Sequence, residues 1–188
     1  TVGVDGRMIV SSGGMANNTR VNWSGRMYVY SGGTASIVFN PWSGGYVSSA
    51  DGASVTYLER DANVYWGNNN FGVIGKGDTP ENLIISSGIS MLIYRGGTAT
   101  STMVKGSMFI SSGGTATVTT VNYGGNMNVS SGGTATSTTV SRGSMTVYGN
   151  ATSTTVNSDG SMNVSSGGTA TSTMVNSGGT MSIFAGGQ

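Results

Sequence analysis

The chain lacks the residue types that most hydrolases and zinc proteins depend on, because its 188 residues include no histidine and no cysteine. Ser-His-Asp and Cys-His arrangements are therefore excluded, as are zinc sites of the usual His/Cys kind. A pair of carboxylates could still hydrolyse a glycosidic bond. The candidates for such a pair are Asp51, Glu59, Asp61, Asp78 and Glu81. Because carboxylates are so sparse, the sequence predicts a protein that is not an enzyme and that has no catalytic, cofactor-binding or metal-binding residues.

Methionine is the next residue type with a chemical use, since thioethers bind copper. The chain has 11 methionines, and most of them occupy one slot of a G-x-M pattern. An unbranched thioether side chain also fills a narrow protein interior well. The slot alternates with polar residues, and no histidine or cysteine accompanies it, so the pattern favours a core position over a copper groove. The methionines in this slot are Met8, Met27, Met91, Met108, Met127, Met145, Met162 and Met181.

Hydroxyl groups are the most abundant chemistry in the chain. Threonines alternate along short segments such as 98–102, 115–119 and 134–138. Three interpretations remain open: β-branched residues on the outer face of strands, a flat ice-binding array, or acceptors for O-linked sugars. The uneven repeat spacing does not favour ice binding.

The irregular segment 45–87 holds about half of the charges, and it also contains four of the aromatic residues that could meet a partner. This segment is predicted either to form divergent coils with a bulging loop or to present a recognition surface. Aromatic rings near carboxylates and amides suit a sugar partner. The predicted recognition residues are Tyr57, Tyr65, Trp66 and Phe71.

The composition restricts the remaining functional classes. The net charge is +1, so the sequence gives no electrostatic reason to expect nucleic acid or an anionic membrane as a partner. No apolar run approaches the roughly 18 residues of a membrane-spanning helix. Only 8 % of residues are charged and there are two prolines, whereas disordered chains usually carry more of both.

The element that must position these residues is an internal repeat. One copy runs from Gly125 to Val140 and reads GNMNVSSGGTATSTTV, and similar copies begin at Gly6, Gly25, Gly88, Gly106, Gly143 and Gly160. In Met127-Asn128-Val129 the side chains alternate as in a strand, with the apolar pair on one face. Gly-Gly then turns the chain. The threonine-rich segment that follows is predicted to bend, with Ala135 inward on one side and Thr138 and Val140 inward on the next.

A single copy cannot bury its apolar face, but stacked copies can. The sequence therefore predicts an all-β protein, a right-handed parallel β-helix of roughly 19-residue repeats. One domain is expected over residues 1–188, with repeats at 6–44, divergent coils or a loop insertion at 45–87, and regular repeats at 88–188.

The run SSGGTATSTMVNSGG from Ser165 to Gly179 resembles the repeats of AIDA-type autotransporter adhesins, and Ser111–Gly125 and Ser130–Gly143 match with small changes. The resemblance implies a passenger exported through the outer membrane and displayed on a bacterial cell surface or secreted. It implies host-cell attachment through a surface or glycan receptor, self-association, biofilm formation and a role in virulence. It also implies a glycoprotein, to which a dedicated autotransporter glycosyltransferase adds heptose at repeat serines and threonines.

By this resemblance, the serines in the turns are the expected acceptors, with the strand threonines as the alternative. These serines are Ser12, Ser112, Ser131, Ser158, Ser166 and Ser177. The alternative function is a solenoid that binds or cleaves carbohydrate, of the tail-spike or lyase type, which would need a cluster of carboxylates or of Arg and Lys in one groove.

Overall fold

The computed structural model of the protein describes residues 1–39, 44–60, 62–68 and 74–188. These residues form 25 β-strands and no helix, and so they include no helix that could cross a membrane. They divide into two compact units, one made of residues 1–61 and 68–73 and the other of residues 62–67 and 74–188. The prediction of a single domain over 1–188 stays a prediction.

The first unit has three coils, each of which contributes one strand to each of two parallel sheets. The sheet orders are β1-β3-β5 and β2-β4-β6. Residues 45–58, where the repeat pattern degrades, still form the third coil: Tyr46 pairs with Arg26, and Ser54 pairs with Thr34. The strands are β1 (Arg7–Val10), β2 (Met15–Thr19), β3 (Arg26–Val29), β4 (Thr34–Val38), β5 (Tyr46–Ser49) and β6 (Ser54–Leu58).

The second unit has three-sided coils. Its strands are β7 (Val64–Gly67), β8 (Ile74–Gly77), β9 (Ile84–Ile85), β10 (Ser90–Ile93), β11 (Thr98–Thr100), β12 (Met103–Val104), β13 (Ser107–Ile110), β14 (Thr115–Thr117), β15 (Thr120–Val121), β16 (Asn126–Val129), β17 (Thr134–Thr136), β18 (Thr139–Val140), β19 (Ser144–Val147), β20 (Asn150–Thr152), β21 (Thr155–Val156), β22 (Ser161–Val164), β23 (Thr169–Thr171), β24 (Met174–Val175) and β25 (Thr180–Ile183). The sheet orders are β25-β22-β19-β16-β13-β10-β7-β8, β11-β14-β17-β20-β23 and β24-β21-β18-β15-β12-β9. The predicted all-β parallel solenoid is therefore confirmed.

Like residues lie over like residues along the second unit. Met127 pairs with Met108 and with Met145, and Ala135 pairs with Ala116 and with Ala151. The methionine column continues from Met91 to Met181, and its members are unevenly spaced in the sequence, so that neighbouring coils differ in length. Six methionines of the predicted core slot are at most 2 % exposed, which places them in the interior: Met27, Met91, Met108, Met127, Met145 and Met162.

Turns between the sides of each coil are built from residues in the left-handed backbone region. Glycine holds this conformation in the Ser-Gly turns, for example Gly132 with φ of 75°, where a residue with a Cβ would be strained. At the bend in the threonine-rich segment the left-handed residue is a serine in four coils but Val118, with φ of 52°, in a fifth. The serines at this bend are Ser101, Ser137, Ser153 and Ser172.

The bend turns one threonine of each coil into the interior, as predicted for Thr138. Thr138 is 1 % exposed, and its Oγ1 has no hydrogen-bond partner among the described residues. The equivalent threonines of the other coils also have buried hydroxyls that lack a hydrogen-bond partner among the described residues. The threonines whose buried hydroxyls share this situation are Thr102, Thr119, Thr154 and Thr173.

An antiparallel hairpin interrupts the parallel pattern at one end of the second unit. β7 pairs antiparallel with β10, and β8 pairs antiparallel with β7. Val64 of β7 is fully buried in the apolar core and Trp66 packs against that core, so the hairpin covers one end of it. The alternating pattern at 63–66 predicts a strand but gives no information on its direction.

Candidate functional site

The predicted acceptor serines lie in two sets of turns. Ser12, Ser112, Ser131 and Ser166 each follow the strand that carries the Met-x-Val pattern. Ser158 and Ser177 each follow the two-residue strand on the far side of the coil. All six side chains are exposed. The coils thus expose serine hydroxyls repeatedly in two sets of turns. An enzyme or a sugar can reach these hydroxyls from solvent.

Each turn has the same local cause. The serine precedes a residue with positive φ, which is glycine in five of the six cases and Asp159, with φ of 57°, after Ser158. A hydrogen bond then closes the turn, as between the Gly133 amide and the Ser130 carbonyl at 2.8 Å. The serine itself contributes no apolar contact to the core, so the fold tolerates a change of its side chain.

Turn serines stack against the glycine of the following coil. A Cβ built on Gly132 would lie 2.5 Å from Oγ of Ser112, and a Cβ built on Gly32 would lie 2.5 Å from Oγ of Ser12. The corresponding distance from Gly186 to Ser166 is 2.7 Å. Glycine in these turns is therefore required twice, once for its backbone conformation and once for the space beside the hydroxyl below.

Ser131 stands in a different environment. The coil above it shortens this turn to Tyr148–Gly149, and both amides bond to the Val129 carbonyl, at 2.8 and 3.1 Å. A Cβ built on Gly149 would first meet the carbonyl oxygens of Gly133 and Ser130. Gly149 therefore does not stack on the hydroxyl of Ser131 as closely as Gly132 stacks on that of Ser112.

Two serines that occupy the same turn positions are absent from the predicted set. Ser31 precedes Gly32, with φ of 74°, and Ser87 precedes Gly88, with φ of 79°; both serines are exposed. Ser31 follows a tyrosine where most copies have a second serine, so a search for Ser-Ser-Gly-Gly does not find it. Alignment of the copies by their glycines would have found both.

The predicted recognition residues that lie in the described parts of the chain belong to different units. Tyr57 belongs to the first unit, is 69 % exposed and lines an apolar cleft of about 300 Å³ with Val38 and Leu58. Tyr65 and Trp66 belong to the second unit. Tyr65 is 1 % exposed, its hydroxyl accepts the Ala62 amide hydrogen at 3.1 Å, and its ring lies edge-on to that of Tyr94. Trp66, not Tyr65, packs against the apolar core of the second unit. Phe71 lies outside the described residues.

The carboxylates considered for hydrolysis likewise belong to both units. Asp51 and Glu59 belong to the first unit, and Asp78 and Glu81 to the second; Asp61 is outside the described residues. Asp78 has a structural contact, since its Oδ1 accepts the Asn63 amide hydrogen at 2.9 Å. No group of three or more Asp or Glu side chains that could hold a metal ion occurs in the described segments.

The outer threonines form ladders along the coils. Oγ1 of Thr117 donates to Oγ1 of Thr100 at 3.2 Å, and both side chains are half-buried. These hydroxyls are less open than those of the turn serines. The inner threonines, such as Thr138, are closed to any partner outside the fold.

No protein-family model matches the chain, and no curated protein sequence matches it. Among solved structures it is similar to a TibC-catalysed, hyper-glycosylated fragment of TibA, at 32 % sequence identity and a TM-score of 0.57. The match covers 98 % of this chain and 73 % of the TibA fragment. The chain belongs to the TibA family. Because the match covers 98 % of this TibA-family chain, the region of similarity to the TibA fragment includes both sets of turns.

Proposed function

We propose that the chain is a surface-displayed passenger fragment of an autotransporter adhesin whose turn serines carry O-linked heptose. The observation that carries this proposal is the repeated exposure of serine hydroxyls in the turns of a solenoid similar to a hyper-glycosylated protein. The fold supplies the scaffold and the turns supply the acceptors. The role is structural and adhesive, with no catalytic step.

The geometry of the turns supports sugar attachment on the folded coil. A substituent on an exposed turn serine extends outward from the edge of the solenoid and does not disturb a core contact. Substituents on adjacent coils would be roughly 4.8 Å apart along the axis, the spacing of neighbouring strands. Such crowding favours substitution of some turns over others. Ser131, over which the next coil has the shortened turn at Tyr148–Gly149, is expected to be modified more fully than Ser112.

A mass measurement tests the acceptor assignment. The chain is co-expressed with a heptosyltransferase of the TibC type, and its peptides are sequenced by mass spectrometry. Added masses of about 192 Da, the mass of a heptose residue by its elemental formula, are expected on turn serines and not on the buried Thr138. The matched control replaces the six predicted serines with alanine. Modification that persists undiminished in this control, or that is found only on strand threonines, would contradict the assignment.

Display on cells tests the adhesive role. The chain is fused to an export barrel, and the cells are scored for attachment to epithelial monolayers, for clumping in suspension and for biofilm mass. Cells that display the chain should exceed cells that display an unrelated solenoid of equal length in at least one of these measures. Equal scores in all three, with display verified by antibody, would refute the adhesive role.

A further inference from the structure

The outer face of the first sheet in the first unit carries arginine and tyrosine side chains. Four coils of the second unit have only small polar residues at the equivalent positions, and two have Leu92 or Phe109 after the core methionine. Arg7 pairs with Arg26, and Arg26 pairs with Tyr46, while Tyr28 lies two residues along from Arg26. We call these four residues, Arg7, Arg26, Tyr28 and Tyr46, the Arg/Tyr face. The two outward positions on each side of the core methionine are Asn126 and Asn128, Ser144 and Thr146, and Ser161 and Asn163 in three coils of the second unit.

Tyr28 contacts both Arg7 and Tyr46 on this face. Cζ of Arg7 lies 4.9 Å from the centroid of the Tyr28 ring, a cation–π contact. The rings of Tyr28 and Tyr46 have centroids 6.0 Å apart and planes tilted by 59°. Tyr46 is 56 % exposed. The rings are therefore held by their neighbours and still present surface to solvent.

Within the described parts of the chain, the charges on this face are not neutralised by a carboxylate. Arg7 and Arg26 are exposed and occupy adjacent strands, which are roughly 4.8 Å apart. Like charges directly opposite each other in a sheet are unfavourable. No carboxylate of the described residues forms an ion pair with either guanidinium. The nearby Asp5 is engaged with Ser24, whose Oγ donates to Oδ1 of Asp5 at 2.6 Å.

A cleft runs beside the face. It has a volume of about 460 Å³ and is lined by Asp5, Arg7, Ser24, Arg26 and Tyr46, among others. Small-molecule sites commonly span about 300 to 1,000 Å³, so the cleft can hold one or two sugar rings. Trp23, which is 56 % exposed, packs against Gly44 at the border of the same cleft.

We propose that the Arg/Tyr face binds an acidic saccharide, that is, a glycan with a carboxylate on a terminal sugar. The paired guanidinium groups suit a carboxylate, which arginine binds through two parallel hydrogen bonds. The ring of Tyr46 offers an apolar surface for the C–H face of a sugar, and Ser24 and Asp5 offer partners for its hydroxyl groups. Two cations are too few to hold a nucleic acid, whose binding relies on many phosphate contacts.

This inference rests on the proposed adhesive function and deepens it, because it names the class of receptor. The test uses the unmodified chain, made without any glycosyltransferase, so that it does not depend on the acceptor assignment. Sialyllactose and digalacturonate are the acidic probes, and lactose is the neutral probe, all titrated by calorimetry. The acidic probes should bind at least about tenfold more tightly than lactose, the factor that corresponds to loss of one charge-assisted hydrogen bond.

Variants localise the binding. Arg26→Gln and Tyr46→Ala should each weaken binding of the acidic probes by at least about tenfold. Arg142→Gln and Tyr123→Ala change exposed residues of the same types in turns of the second unit and should leave binding unaltered. All four positions are exposed, and thermal unfolding of each variant verifies that it folds.

The outcomes separate this inference from the proposed function. Equal affinity for lactose and sialyllactose, or equal losses in the face variants and the control variants, would overturn the saccharide site. Self-association that disappears in Tyr46→Ala without any saccharide binding would also overturn it, since the occupant would then be a second copy. If cells that display the chain adhere although no acidic saccharide binds, only this inference fails. Binding without adhesion removes the adhesive role instead.

Discussion

Replacement of Thr138 by valine should stabilise the solenoid, although it removes a hydroxyl from a threonine-rich column. Thr138 is 1 % exposed, and its Oγ1 meets no hydrogen-bonding group of the described protein. Burial of a hydroxyl without a partner costs about 1–3 kcal/mol in proteins. Valine has the same branched shape, so it exchanges the hydroxyl for a methyl group and opens no cavity.

We expect Thr138→Val to raise the free energy of unfolding by about 1–2 kcal/mol, the lower part of that penalty. For a chain of this length, each kcal/mol corresponds to a shift of about 2–4 °C in Tm. Repeat proteins can unfold in stages, so the Tm and the urea midpoint are both measured on the intact chain by circular dichroism.

Two controls make the result specific. Thr136→Val changes a half-buried outward threonine on the preceding strand and should alter Tm by less than about 1 °C, as surface substitutions do. Thr138→Ser keeps the hydroxyl and deletes the methyl group, and it should destabilise the protein. If Thr138→Val lowers the Tm by several degrees, the hydroxyl is satisfied in solution and the reasoning is wrong.

Three further predictions test other parts of the fold. Val118 is β-branched with φ of 52° and is 56 % exposed. Val118→Asn should therefore add about 1 kcal/mol to the unfolding free energy, measured by urea denaturation. A lower unfolding free energy would show that Val118 makes a contact that outweighs the backbone strain. Gly132→Ala should lower Tm more than Gly167→Ala does, because both glycines have positive φ but only the Cβ at Gly132 would meet the serine below; equal losses in differential scanning calorimetry would contradict this. Met127→Ala should cost about 2–5 kcal/mol by denaturant titration, whereas Met174→Ala, at a side chain that is 61 % exposed, should cost far less; similar costs would argue against the methionine core.

The parts of the fold that could be predicted are those in which burial repeats with the sequence. The slot of Met127 alternates with asparagine, so its inward direction follows from the pleat of a strand. The inward turn at Thr138 follows from the broken alternation between Ala135 and Val140. The direction of β7 could not be predicted. The alternation of Val64 and Trp66 with Tyr65 is the same in a parallel and an antiparallel strand.

Only part of the candidate site could be predicted from the sequence. Serines before glycine could be assigned to turns, because glycine marks positive φ. The burial of Tyr65 could not be foreseen, since an aromatic ring suits both a core and a surface. The Arg/Tyr face was missed because its members come from three successive copies of the repeat and do not share one residue type. Alignment of outward positions would have shown Arg26 and Tyr28 where other coils have asparagine or serine.

The shortened turn at Tyr148–Gly149 bears on how such a chain avoids misfolding. A chain of near-identical segments can thread one segment into its neighbour's place and still bury the same side chains. The sequence interval from Met91 to Met108 differs from the interval from Met108 to Met127, and the next one, to Met145, differs again. A shift by one segment is therefore costly, because at least one corner would have too short a stretch of chain and another too long a stretch. The unequal lengths of the segments thus favour the native register over a register shifted by one segment. A chain with every segment set to the same length should refold more slowly and aggregate more.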